Sequence, residues 1–133
     1  MAATTRIDAL TNNAGIHAFK PRVTADGYSE MVAVTYLAAW LLMKILREAV
    51  VRSALSRIVT VASEASRWAV GFDPIEALTD KRRFTARGSP AFYGRTKLMR
   101  IMFSMELACA DGGRGGGQQP LSRLQRDGPR RAQ

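Results

Sequence analysis

The sequence predicts an α/β fold built on a parallel sheet, and three observations carry that expectation. Between residues 6 and 108, patterns typical of strand, helix, strand and helix follow one another. That order belongs to a right-handed crossover between parallel strands. The second strand pattern is a β-branched run without polar alternation, as in a strand covered on both faces. Finally, 133 residues with 47% apolar content suffice for one ordinary domain.

The elements follow in order. "RIDALTNNAG" passes from alternating to continuous apolar residues and ends in Asn-Asn-Ala-Gly, a short strand running into a turn. Met31, Val34, Leu37, Leu41, Ile45 and Val50 then recur at helical spacing, which predicts a helix from about Tyr28 to Val51 with Asp26 or Ser29 as its cap. Ile58, Val59, Thr60 and Val61 in "SRIVTVAS" form the second strand, read as buried on both faces. The connection "EASRWAVGFDPIEALTDKRRFTARGSP" has little periodicity and room for a helical turn at Glu76 to Thr79. A second helix runs from Ala91 to about Ala108, with Pro90 near its start, where a missing N–H does no harm. Two strands leave unpaired edges, so this pattern describes a β-α-β-α core with strands still to be supplied.

From Cys109 the composition changes. "GGRGGG" holds five of the eleven glycines, and no β-branched residue follows it. Residues 109–133 are therefore expected to form a disordered tail rich in Gly, Arg and Gln. No register of residues 112–117 places glycines at i, i+2 and i+5, so a phosphate-cradling G-x-G-x-x-G loop is excluded there.

Charge and cysteine content narrow the function classes. The net charge of +9 is spread along the chain, with 15 Lys/Arg against 9 Asp/Glu in residues 1–108 and 5 against 2 beyond. Nucleic acid is not the expected partner, because phosphate binding gathers cations on one surface. The longest apolar run, Met31 to Met43, has 13 residues. A membrane-spanning helix needs roughly 20, so the run reads as a core helix. The single cysteine allows no internal disulfide and no Cys-based zinc site, no signal peptide is visible, and a cytoplasmic location is expected. No metal site is predicted.

Chemistry enters at "PAFYGRTKLMRIM". Tyr93 and Lys97, four residues apart, share one face of the second helix. An ammonium beside a phenol favours the phenolate, which suits proton transfer to or from an alcohol or carbonyl near neutral pH. A solvated helix face can show the same spacing. Ser63, at the carboxyl end of the second strand pattern, lies where parallel sheets bind ligands, although a hydroxyl there can also serve a local backbone group.

"TNNAG" after the first strand, "RIVTVAS" as the second and "YGRTK" opening the next helix resemble, in that order, the short-chain dehydrogenase/reductase family. The long connection between Ser63 and Tyr93, followed by "FYGRTKLMRIMFSMELA", is similar to its retinol-dehydrogenase-like branch. The resemblance covers about Arg6 to Ala108. It implies a partial Rossmann-like, doubly wound parallel sheet and an oxidoreductase that exchanges a hydride between NAD or NADP and a small alcohol or carbonyl compound. Tyr93 would be the proton donor or acceptor. Lys97 would tune it and hold the cofactor's ribose, and Ser63 would bond the reacting oxygen. Asn13, Ala14 and Gly15, following Asn12, would form the turn beside the cofactor, with Tyr93 and Lys97 completing that set.

Several positions depart from the family pattern. Thr35 stands where the family usually has an asparagine that orders a water in the proton relay, Ala62 replaces a serine, and Thr96 replaces a serine while keeping its hydroxyl. The chain opens just before what resembles the fourth strand. Residues 1–108 are thus expected to be a partial catalytic domain without the N-terminal cofactor-binding half, and inactive alone. A displaced start and a shifted reading frame after Ala108 would account for both ends. The alternative is a non-enzymatic remnant that associates, with itself or with a full-length relative, through its two long helices.

Overall fold

A computed structural model describes residues 6–53, 55–69, 71–79 and 85–112. Strand β1 (Ala9–Asn12) lies parallel to β2 (Arg57–Thr60), in a register that sets Ala9 opposite Arg57 and Asn12 opposite Thr60. The ladder extends at both ends, with Arg57 N–H bonded to Asp8 O and Val61 N–H to Asn12 O. The chain between the strands carries α1 (Glu30–Val32), a π-helical turn (Ala33–Leu37) and α2 (Ala38–Arg52) as one continuous crossover. The α/β class and the parallel pairing are thus as the sequence predicts.

The first helix begins at Glu30. Ser29 occupies its N-cap position but makes no side-chain cap bond. Instead the entrance is held by backbone pairing of Val23 with Ser29, closed by a turn at Gly27, whose φ of 84° suits a residue without Cβ. The sequence pattern could not show the π turn, because its apolar residues keep nearly the same spacing through one widened turn.

Past β2, a 3-10 turn (Glu64–Trp68) and α3 (Pro74–Thr79) precede α4 (Ser89–Gly112). The predicted turn at Glu76 is this α3, started by Asp73, whose carboxylate accepts from the N–H groups of Ile75 and Glu76. Helix α4 runs through Cys109 and Ala110 to Gly112, so the first four residues of the expected tail are helical. The rest of that expectation, residues 113–133, falls outside the described residues, as do residues 80–84 of the basic connection.

The apolar centre is Met31, Val32 and Phe92, with Ile16, Ala18, Leu37, Leu78 and Tyr93 packed against it. Each such buried side chain contributes roughly 1.5–3 kcal/mol, and together they lock α1 and the start of α4 under the turn that follows β1. The sheet departs from expectation. In β2, Ile58 and Thr60 are half-buried, but Arg57 and Val59 are exposed, so one face is covered and the other open. The β-branched run reports strand propensity, and burial of the second face needs elements absent from the described residues.

Candidate active site

The carboxyl ends of both strands meet the first turns of α4. After β1, Asn12 is buried and Asn13, Ala14 and Gly15 form an exposed turn, with Asn13 N–H bonded to Thr11 O. Gly15 touches the chemistry: a Cβ built there would lie 3.5 Å from both Lys97 Nζ and Thr35 Oγ1. Any side chain at this position would fill the space beside the ammonium. The next backbone N–H, that of Ile16, is bonded to Thr35 Oγ1 at 3.3 Å. Thr35 is fully buried in the π turn. Such widened turns recur at functional positions, and here the widening occurs where the helix meets the turn.

Lys97 is 3% exposed. Its Nζ donates to Val61 O at 3.1 Å, just beyond β2, leaving two of its three protons for other acceptors. The same ammonium stands 5.7 Å from the centre of the Tyr93 ring, so the four-residue spacing does bring the pair together. Burial pushes the Lys97 pKa below the usual lysine value, and the Arg100 guanidinium pushes it further the same way.

Arg100, one turn on, is 1% exposed and donates to Ala14 O at 2.7 Å. Among the described residues its Nε and Nη1 have no hydrogen-bond partner. Burial lowers its pKa, and Tyr93 acts in the opposite sense. Helix α4 thus clamps the Asn13–Gly15 turn through Arg100 and faces it with Lys97.

Ser63 is placed differently. It lies past the end of β2 as N-cap of the 3-10 turn, where its Oγ accepts from Ala65 N–H at 3.3 Å and its carbonyl accepts from Ser66. Among the described residues no hydrogen bond joins it to Tyr93, and its hydroxyl proton has no acceptor. Ser63 is therefore both a local cap and a free donor. The link to Tyr93 is Gly94: a Cβ built there would lie 2.1 Å from Ala65 O, so α4 rests directly on the backbone of the 3-10 turn. Only glycine permits that approach.

Three residues at this site escaped sequence reasoning. Gly94 lay in plain view inside the Tyr93–Lys97 spacing, in a position treated as variable. Arg100 continues the same helical face one turn beyond Lys97, which was a readable signal. His17, whose ring stacks on Tyr93 with centres 4.9 Å apart, had none.

No family model matches the chain. Individual proteins do. Human retinol dehydrogenase 14 is 34% identical over 104 residues, 77% of this chain and 29% of that protein. Human retinol dehydrogenase 12 is 33% identical over 108 residues, 81% of the chain and 33% of that protein. A putative daunorubicin C-13 ketoreductase, DnrU, of Streptomyces sp. (strain C5) is 34% identical over 104 residues, 77% of the chain and 33% of that protein. The chain thus spans about a third of the length of these relatives. With a parallel β-α-β crossover and helix α4 facing the turn after β1, it belongs to the short-chain dehydrogenase/reductase family, in its retinol-dehydrogenase-like branch.

Proposed function

We propose that the residues around Lys97 form the proton-handling half of an NAD(P)-dependent alcohol or carbonyl oxidoreductase. The observation that carries this reading is the Lys97 ammonium, buried, tethered to Val61 O and set 5.7 Å from the Tyr93 ring. The relatives' names, retinol dehydrogenase and ketoreductase, support the same chemistry. The residues present fit the nicotinamide-ribose end of a dinucleotide: an ammonium with two protons to offer, beside a glycine whose missing side chain leaves room. When bound, a reduced nicotinamide supplies a hydride to the carbonyl carbon.

Tyr93 gives its phenolic proton to the carbonyl oxygen as the C=O electron pair moves onto that atom, and Lys97 stabilises the phenolate left behind. Ser63 donates its free hydroxyl proton as a hydrogen bond to the same oxygen. Asn13 and Ala14 are exposed residues beside Gly15. Thr35 does not replace the expected asparagine, since its hydroxyl accepts from Ile16 N–H and leaves no carboxamide to order a relay water.

The test is a chimaera in which residues 6–108 replace the matching region of a 34%-identical relative. NAD(P)H-dependent carbonyl reduction is expected, with Y93F and K97M each lowering kcat about 10²–10⁴-fold. Full activity in both variants overturns the reading.

A second reading rests on a separate observation. Trp40, Leu41, Leu42 and Ile45 of α2 and Met102 and Met105 of α4 are exposed. A groove of about 500 Å³ between these helices and α3 is lined by Tyr36, Trp40, Leu78, Met99 and Phe103, among others. Exposed apolar side chains grouped on two helices favour association of the chain with itself or with a full-length relative.

A further inference from the structure

We propose that His17 is a positioning residue for Tyr93, held as its Nε2–H tautomer by Ser89. The inference deepens the reading above and takes from it only the role of Tyr93.

The direction of the hydrogen bonds follows from counting protons. Ser89 has one hydroxyl hydrogen, and it is donated to Ala18 O at 2.6 Å, an atom that can only accept. The Ser89 oxygen also lies 2.8 Å from His17 Nε2. With its own proton engaged, Ser89 must accept there, so Nε2 carries the hydrogen. Neutral His17 then has its lone pair on Nδ1. Protonation adds a hydrogen at Nδ1 and leaves the bond to Ser89 intact, so the ring is held in both charge states.

The anchor is rigid on each side. Ser89 is fully buried and is the first residue of α4. The backbone flanking His17 is pinned by Ile16 N–H on Thr35 Oγ1 and by Ala18 N–H on Met31 Sδ. Tyr93 sits four residues after Ser89 on the same helix, so one turn of α4 carries both the anchor and the ring to be placed. The two planes are inclined by 24°, a stacked arrangement, and Phe19 follows in the same row with its centre 4.7 Å from His17. Stacked rings of this kind attract one another beyond the area they bury. That is enough to favour one placement of a half-buried phenol. Lys97 approaches the same ring by its ammonium, so Tyr93 is located by a ring and a cation supplied from different segments.

The chain has a single histidine, so 15N-histidine labelling of the whole chain gives one assigned imidazole. In the neutral ring, Nε2 is expected to give a pyrrole-type and Nδ1 a pyridine-type resonance. A dominant Nδ1–H form, or an even mixture, overturns the proposal without any variant having to fold. In S89A the tautomer preference is expected to collapse and the His17–Tyr93 ring cross-peak, assigned by its disappearance in Y93F, to be lost. An unchanged cross-peak overturns the positioning role. H17F keeps a flat ring without the donor and should show a weakened contact with Tyr93, whereas a contact as strong as the native one assigns placement to stacking alone and overturns the part given to Ser89. These readouts do not depend on turnover, so failure here and failure of the oxidoreductase reading are distinguishable.

Discussion

At the scale of single residues, the site is notable for two buried cations with no carboxylate among their hydrogen-bond partners in the described residues. Lys97 and Arg100 donate instead to the carbonyls of Val61 and Ala14. A lysine whose folded pKa is depressed releases its proton in the native state at a pH where the unfolded chain still holds it. Unfolding then takes up a proton, and stability rises with pH from the depressed folded value up to the ordinary lysine value of about 10.4. Urea midpoints measured across that window should climb for the native chain and stay flat for K97M; equal slopes would show that Lys97 is not desolvated. Gly94 gives a prediction of the opposite kind. G94A drives a methyl into the Ala65 carbonyl, and overpacking against backbone costs about 1–3 kcal/mol. A lowered melting temperature with a displaced Tyr93 ring signal checks it, and an unchanged one would mean that α4 does not rest on the 3-10 turn.

At the scale of elements, the long helices are where sequence and structure agree most closely. Periodic apolar residues place α2 and α4, since a buried stripe must recur with the turn of the helix. The π turn, the 3-10 turn and the extension of α4 to Gly112 were not legible, because each depends on hydrogen-bond registry while side-chain pattern changes little. The same distinction holds in the site. Tyr93 and Lys97 meet because helical spacing alone brings them to one face. Ser63, read from the sequence as a strand-end residue, caps the next turn, because pairing with β1 ends β2 at Thr60. His17 owes its position to Ser89, 72 residues away, and no local pattern reports such a contact. The exposed stripe on α2 and α4 carries its own prediction. I45E combined with M105E should move the chain to a later, monomeric elution volume in size-exclusion chromatography, and a native chain that already elutes as a monomer removes the association reading.

At the scale of the whole molecule, the two-stranded sheet of the described residues has one open face and one unpaired edge on each strand. Turn, ammonium and phenol gather at one end of β1 and β2. The described residues show no glycine-rich strand–turn–helix of the kind that receives a pyrophosphate. Purified chain titrated with NADH and with NADPH is therefore expected to show no fluorescence enhancement at micromolar cofactor. Saturable enhancement in that range would establish a grip on the dinucleotide outside the residues described. Ser104 Oγ, bonded to Thr60 Oγ1 at 2.6 Å, ties the far part of α4 to β2, so the helix braces the sheet along its covered face only.

Ala9 finds Arg57 only after the whole crossover has been gathered between them, so the pairing is not a local one. Helix growth takes under a microsecond, whereas loop-closure entropy delays a parallel pair. During that delay the segments destined to be strands stand unprotected, and a nascent chain's success in the cell turns on whether its ends meet before a neighbour's do.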